Sequence, residues 1–161
     1  MANRWILSGV VLAWIFSAAA GAQDRGSIQL RPDDFKVAGL VEGMPSARVL
    51  ALLGAPKSVA GSGDFRDKES KLVSWRYRDL TVLLGSSDEV RGVWISGPSL
   101  ATKRGLRVGD SRERVGQLYG IPAAGDEKMV EYADPNEQLH VIRVVLKRGR
   151  VETIFVGWIL D

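Results

Sequence analysis

The stretch GMPSARVLALLGAP, residues 43–56, returns in modified form as GDSRERVGQLYGIP, residues 109–122, with every matched position 66 residues later. Both copies open with a glycine and close with a glycine, one further residue and a proline. Their apolar residues recur at i, i+3 and i+4: Val49, Leu52 and Leu53 in the first copy, and Val115, Leu118 and Tyr119 in the second. In each copy this spacing predicts a short helix with one buried side.

The residues that flank these helices have local structural roles. Asp110 is expected to cap the second helix, with Glu113 reaching back as in a capping box, and Pro45 suits the first position of the first helix. Gly54 and Gly120 stand where the chain must turn left-handed to end a helix. Neither copy has the spacing of a phosphate-binding loop, so both motifs are predicted to be structural.

Residues typical of strands follow each helix. β-Branched and aromatic side chains dominate residues 71–96 and 129–160. Tyr77 matches Tyr132, and four residues of one predicted strand match four of another: Val90, Val93, Trp94 and Ile95 match Val151, Ile154, Phe155 and Val156. Residues 59–70 are predicted to be a loop, and Arg148–Gly149 a tight hairpin turn. Each half therefore reads as one helical segment followed by about three antiparallel strands.

The predicted fold is α+β. Two tandem repeats, residues 32–97 and 98–161, each place a helix before an antiparallel sheet, and the two sheets join into one continuous curved sheet with the helices on one face. A unit of about 65 residues has a marginal core when alone, so fusion side by side supplies the missing partner. Residues 23–31 are predicted to be an N-terminal tail.

The first 22 residues have the layout of a secretory signal peptide. Arg4 precedes an apolar run from Trp5 to Phe16, and the small residues Ala20 to Ala22 form an A-x-A site. We expect cleavage after Ala22 and a periplasmic or secreted protein with no membrane span thereafter. The alternative is an uncleaved membrane anchor, because Trp5 to Ala22 is nearly long enough to span a bilayer.

Composition narrows the classes of function. The chain has no cysteine, which excludes disulfides, a lipid-anchoring cysteine, a thiolate nucleophile and thiolate metal ligands. Its net charge of +3 is too small to indicate nucleic-acid binding. His140 is the single histidine, it lies on a predicted strand, and no G-x-S-x-G motif occurs. We therefore predict no catalytic residue, no metal site and no cofactor, and a protein that is not an enzyme.

Carboxylates in predicted loops leave one enzymatic alternative open. Asp64, Asp67 and Glu69 form one group, and Asp126 and Glu127 form another. Such groups bind calcium weakly or act in general acid–base catalysis, although no EF-hand spacing or basic partner accompanies them. A hydrolase that uses these loop carboxylates is the corresponding hypothesis.

Aromatic residues on the predicted strands are the candidate binding site. If Val93 and Ile95 pack under the helices, Trp94 and its match Phe155 lie on the free face of the sheet. Aromatic side chains with arginines nearby are typical of binding hot spots. The predicted binding residues are Trp75, Tyr77, Trp94, Tyr132, Phe155, Arg76 and Arg91. The alternative for each ring is that it fills the core of the protein.

The segment DFKVAGLVEGMPSARVLALLGAP, residues 34–56, resembles the repeats of the beta-lactamase inhibitory protein and of the SmpA/OmlA (BamE-like) envelope lipoproteins. The positions that carry the resemblance are Phe35, Leu40, Gly43-Met44, Val49-Leu50, Gly54, Pro56, Trp75 and Tyr77. The resemblance implies the fold described above, with one sheet face free to bind protein. The chain departs from both families in having no cysteine, so neither their lipid anchor nor their disulfides carry over.

The function expected from residues and resemblance together is a periplasmic or secreted, non-enzymatic protein-binding or adaptor module. Cell-envelope assembly is one setting in which such a module works. The alternative is a proteinaceous inhibitor of a secreted or periplasmic hydrolase such as a beta-lactamase.

Overall fold

A computed structural model describes residues 28–62, 72–134 and 140–158. Within these residues the chain folds into one antiparallel sheet of eight strands and two α-helices, so the fold is α+β with a curved sheet. The predicted signal peptide, and Asp64, Asp67 and Glu69, lie outside the described residues. No helix in the described part of the chain has the length and apolar character needed to cross a membrane.

The elements follow one another in two similar series. After the 3₁₀ helix Pro32–Phe35 come α1 (Ser46–Leu53), β1 (Ser58–Ser62), β2 (Leu72–Arg76), β3 (Leu80–Leu84) and β4 (Val90–Ile95). The second series is α2 (Arg112–Tyr119), β5 (Ala124–Gly125), β6 (Met129–Ala133), β7 (His140–Lys147) and β8 (Arg150–Trp158). In space the strands run β1-β2-β3-β4-β8-β7-β6-β5, so β4 and β8 pair at the centre.

The prediction of about three strands in each half was one strand short. Four of the five residues of β1 belong to the segment 59–70 that the sequence predicted as a loop, and all five pair with β2 in continuous register. Serine, alanine and glycine give this segment little strand propensity. Main-chain pairing with β2 holds it in an extended conformation, although Ser58 to Gly61 stay exposed.

The core lies on one face of the sheet, which we call the helix face. Its residues are Leu80, Val82, Val93, Ile95, Val130, Tyr132, Ile142, Val144, Ile154 and Val156, all buried. Each helix ends against a tyrosine on this side: Tyr77 Oη donates to the Gly54 carbonyl at 3.2 Å, and Tyr132 Oη to the Gly120 carbonyl at 3.4 Å. The Tyr119 ring of α2 also packs on Tyr132, with centroids 5.2 Å apart.

Most predicted helix and turn positions are confirmed. Gly54 and Gly120 end the helices with φ of 75° and 76°, and Arg148 and Gly149 form the β7–β8 turn with φ of 52° and 74°. The predicted cap of α2 was wrong by one residue. Ser111 is the N-cap, and its hydroxyl accepts from Arg114 N at 3.2 Å.

The neighbouring predicted cap residues lie just outside the helices. The carboxylate of Asp110 accepts from Arg107 N at 2.8 Å, and so closes the turn before α2. Pro45 precedes the first residue of α1, where its carbonyl accepts from Arg48 N and Val49 N. Both therefore stabilise the entry into a helix, although from one position earlier than predicted.

Candidate binding surface

One row of side chains crosses six strands on the face opposite the helix face. The strand register aligns Arg76, Thr81, Trp94, Phe155, Arg143 and Glu131. We call this surface the Trp94 face. Its centre is the β4–β8 pair, where the two halves of the chain meet, so each half contributes one aromatic ring.

Trp94 and Phe155 form the centre of this face. Their ring centroids are 5.0 Å apart, with the ring planes tilted by 47°. Trp94 is half-buried, whereas Phe155 is only 6% exposed. Phe155 is thus a buried support, and Trp94 is the ring that a second molecule can contact.

Two glycines create the space in which Phe155 lies. Gly92 and Gly157 are opposite one another on β4 and β8. A Cβ on Gly92 would be 2.6 Å from Phe155 Cε2, and a Cβ on Gly157 would be 2.4 Å from Gly92 Cα. The two strands approach too closely at this point for any side chain, so the Phe155 ring lies directly over backbone.

Charged residues flank the aromatic pair on both sides. Beyond Phe155, Arg143 Nε and Glu131 Oε2 are 2.9 Å apart, and a second guanidinium nitrogen is 2.8 Å from the same oxygen. Beyond Thr81 on the other side, Arg76 is exposed and forms no ion pair among the described residues. The face therefore offers one neutralised, ordered ion pair and one cation available to an anionic group.

The structure does not bring all the predicted aromatics onto this face. Trp75 lies opposite Val82, on the helix face, and packs against the core. Tyr77 and Tyr132 point the same way, and their hydroxyls bond the helix ends as described above. Burial raises the pKa of both phenols. The prediction of a single surface was therefore wrong for these three rings, because the β2–β3 and β6–β7 registers turn them inward.

Arg91 is also directed away from Trp94. It lies at the bulge where β4 shifts its register against β3, with its guanidinium 4.7 Å from the Trp158 ring centroid and 3.7 Å from a Glu42 oxygen. Glu42 also pairs with His140, whose ring is 5.4 Å from that of Phe35. The single histidine is thus part of a cluster that ties residues 35–42 to the ends of β7 and β8.

The sequence did not predict a buried ion pair between the halves. Asp34 is 4% exposed, and Arg104 Nε donates to its Oδ1 at 2.8 Å. Arg104 also donates to the carbonyls of Leu118 and Gln29, and its guanidinium lies 5.1 Å from the Tyr119 ring. Burial alone would raise the pKa of Asp34, but the bonds from Arg104 and from Arg31 N outweigh it and lower the pKa.

Arg104 would have been hard to find from the sequence. The repeat spacing matches it with Ala38, and it matches Asp34 with Leu100, so neither partner recurs in the other half. No signal in the repeat points to either residue.

The part of the chain that the structure describes contains no group of three or more His, Asp or Glu side chains that could hold a metal ion. Asp126, one of the candidate carboxylates, is exposed and closes a turn. It accepts hydrogen bonds from the backbone N–H groups of Lys128 and Met129, at 2.7 and 2.9 Å, and these lower its pKa. Its environment is that of a structural turn residue.

No family model matches the chain, and no curated protein sequence matches it. The fold is similar to the crystal structure of YfeY from Escherichia coli, with a TM-score of 0.50 and 11% sequence identity. The similarity covers 75% of this chain and 95% of YfeY, which is described as an uncharacterized protein. At this identity the likeness concerns the fold alone.

Proposed function

We propose that the chain is an exported, non-enzymatic module that binds a protein partner through the Trp94 face. One observation carries the proposal: a half-buried tryptophan stands at the centre of a six-strand row, supported by a buried ring. A rigid aromatic side chain on an ordered scaffold has little conformational entropy to lose on binding. Tryptophan and arginine are also the residues most enriched in binding hot spots.

The chemistry of the face indicates what it would recognise. An apolar side chain of the partner would cover Trp94, and a carboxylate would pair with Arg76, which is exposed. The Arg143–Glu131 pair is already neutralised, so it would form the polar rim that surrounds a desolvated centre. The expected partner surface is therefore apolar at its centre and acidic on one side.

We further propose that two duplicated units make this site. Contacts recur at matched positions: Gly43 N donates to the Val90 carbonyl, and Gly109 N to that of Val151, at 2.9 and 2.8 Å. The β4–β8 register is symmetrical about the Trp94–Phe155 pair. Val93 pairs with Val156 on one side of it and Ile95 with Ile154 on the other, so exchanging the matched residues of the two halves leaves the pairing unchanged. A site on the symmetry axis needs both units, which would explain why they are joined in one chain.

Export rests on the N-terminal sequence, with its charged start, apolar run and A-x-A site. A protein purified from the periplasm or the medium would begin at Gln23 if cleavage follows Ala22. Intact-mass measurement would distinguish this from a chain that keeps its N-terminus as a membrane anchor.

Site-specific photo-cross-linking in living cells tests the binding face. A photoreactive amino acid replaces Thr81, which lies opposite Trp94 on β3. The same amino acid replaces Gln117 on the exposed side of α2 as a matched control. We expect a discrete protein adduct from position 81, none from position 117, and loss of the adduct when Trp94→Ala is added.

Two results would remove the proposal. One is the same set of adducts from both positions, and the other is an adduct from position 81 that Trp94→Ala leaves unchanged in yield. Circular dichroism of Trp94→Ala guards against a trivial loss through unfolding. If the partner proves to be a hydrolase, assay of its activity with the purified protein separates an adaptor from an inhibitor.

A further inference from the structure

The two edges of the sheet differ in how far they are open to pairing. At one edge, all five residues of β1 pair with β2 without a bulge, and no strand among the described residues pairs with its outer side. Ser58 to Gly61 are exposed, and Val59 is 60% exposed. β1 contains no proline and no charged residue. A regular edge of this kind presents unpaired N–H and C=O groups to any extended chain.

The opposite edge is blunted. β5 has only two residues, Ala124 and Gly125. Gly125 has a φ of 137°, and a Cβ there would be 2.3 Å from the Met129 carbonyl oxygen. The charged residues Asp126, Glu127 and Lys128 follow at once. Short length, irregular backbone and charge are the usual protections against edge pairing. β5 and the residues that follow it have all three, whereas β1 is longer and regular and has one charged neighbour, Lys57.

Charge distinguishes the two edges as well. The described residues 43–62 and 72–78, which include α1, β1 and β2, contain four basic side chains and no acidic one. Arg48, Lys57, Arg76 and Arg78 are exposed there. The matching residues 109–133, which include α2 and β5, contain three basic and five acidic side chains. The open edge is therefore positively charged, and the protected edge is negatively charged.

We propose that β1 is a docking edge for an extended, acidic segment of a partner protein, which adds to the sheet as a further strand. Main-chain hydrogen bonds to β1 supply the affinity, as in other cases of strand addition. The cations around the edge supply the selectivity for an acidic sequence. This edge shares Arg76 with the Trp94 face, but it does not involve Trp94 or Phe155.

The register shows what the added strand would meet. Val59 lies opposite Trp75 on the helix face, so alternate side chains of the added strand would contact an exposed apolar edge there. Ser58 lies opposite Arg76 on the other face. A glutamate of the added strand beside Ser58 would be two strands from Arg76, within reach of two long side chains. An alternating valine–glutamate pattern therefore fits this edge.

A second copy of the chain fits less well. Pairing β1 with β1 would bring two positively charged edges together, with repulsion in place of attraction. Pairing β1 with β5 of another copy would match the charges, but β5 offers only two residues of ladder. An acidic segment from another protein satisfies both the backbone and the charge.

The test uses the full-length mature protein and a fluorescent synthetic peptide of alternating valine and glutamate. We expect binding by fluorescence anisotropy and slower hydrogen exchange at the amides of β1. The same peptide with lysine in place of glutamate should bind at least about ten-fold more weakly. N-methylation of alternate peptide nitrogens on the bonding edge should also weaken binding about ten-fold or more, because each methyl group removes one main-chain hydrogen bond to β1.

Variants of the protein localise the effect. Ala60→Pro in β1 should reduce binding, whereas Ala124→Pro in β5 should leave it unchanged. Arg76→Glu should weaken binding several-fold, and Arg114→Glu on α2, far from the edge, should not. Because proline at position 60 also weakens the pairing of β1 with β2, the N-methylated peptide is the control that leaves the protein intact.

The outcomes separate the possibilities. Failure of the acidic peptide to bind at about 1 mM, the weak end of specific recognition, overturns the proposal. Equal binding of the lysine peptide overturns the part that concerns charge. Self-association that Ala60→Pro abolishes, seen by sedimentation, assigns the edge to a second copy. Trp94→Ala should leave peptide binding intact. A negative result with the peptide would therefore overturn the β1 proposal without bearing on the proposed function of Trp94.

Discussion

The two helices hold matching places in the fold, yet only their inner sides are alike. Val49 of α1 and Val115 of α2 are both buried, at 0% and 1% exposed. On the outer sides, α1 exposes Leu50, at 42%, where the matching residue of α2 is Gly116. α1 also exposes Ala47 and Ala51, whose matches in α2 are glutamate and glutamine. Packing on the sheet requires an apolar inner side but leaves the outer side free to differ.

The N-terminal segment is a second difference between the halves. Asp34 of the first half reaches Arg104 of the second, and Glu42 of the first pairs with His140 of the second. The matching positions in the second half are occupied by Leu100 and Val108, which cannot form such pairs. The N-terminal segment of the first half thus forms side-chain pairs with the second half that the matching residues 100 and 108 cannot form in return, so the halves are not interchangeable.

Among the substitutions that test this asymmetry, removal of the Asp34 carboxylate should change the free energy of unfolding most. Asp34→Ala leaves the Arg104 guanidinium, which is 16% exposed, without its counter-charge. Loss of one member of a buried pair typically lowers the free energy of unfolding by about 3–5 kcal/mol. Urea denaturation measures the change. Lys36→Ala, which breaks the exposed Lys36–Asp33 pair, is the control and should cost less than about 1 kcal/mol.

The Asp34–Arg104 pair should also make the free energy of unfolding depend on pH. The pKa of Asp34 is lowered in the folded state from its ordinary value of 3.8, so the folded protein holds this proton less tightly than the unfolded chain does. The contribution is complete above the ordinary pKa and is lost as the pH falls through the folded pKa. The stability difference between wild type and Asp34→Asn should be constant above about pH 5 and shrink below about pH 4. A difference independent of pH would exclude a stabilising carboxylate.

Local patterns explain which parts of the fold the sequence could predict. The positions of the helices, Gly54, Gly120 and the Arg148–Gly149 turn follow from interactions within a few residues, and they were predicted correctly. Leu52 is an exception, because it was expected on the buried side of α1 and is 48% exposed. The faces of Trp75, Tyr77 and Tyr132 were not, because side-chain alternation shows which residues share a face but not the pairing register. A slip of one residue in register reverses every side chain of a strand.

The remaining misses depend on contacts between distant parts of the chain. β1 has one strong strand former, Val59, among serine, alanine and glycine, and it is held by its ladder to β2. Asp34 and Arg104 are 70 residues apart and have no counterparts in the repeat. Trp94 and Phe155 were correctly placed on the same face of the sheet. Each alternates with apolar neighbours along its own strand, and the two occupy matching positions in the two halves.

Matched core substitutions test whether the halves fold as one unit. Val49→Ala and Val115→Ala each remove two methyl groups from a fully buried site, so each should lower the free energy of unfolding by about 2 kcal/mol. Because β4 pairs with β8 along the centre, both variants should still unfold in one transition, measured by circular dichroism and tryptophan fluorescence. Two separate transitions in either variant would show that the halves are independent domains.

The smallest change in the free energy of unfolding is expected on the outer sides of the two helices. Gly116 lies in the interior of α2 at the position that α1 fills with Leu50, and a Cβ there would meet no atom within 4 Å. Glycine weakens a helix interior relative to alanine, because its backbone loses more conformational freedom on folding. Gly116→Ala should therefore raise the free energy of unfolding by about 0.5–1 kcal/mol, measured by urea denaturation. Leu50→Ala at the matching position should lower it by no more than about 1 kcal/mol, since Leu50 stays 42% exposed and only part of its surface becomes buried on folding. If Gly116→Ala is destabilising instead, packing constrains the outer side of α2. The outer sides of the two helices would then not be free to differ.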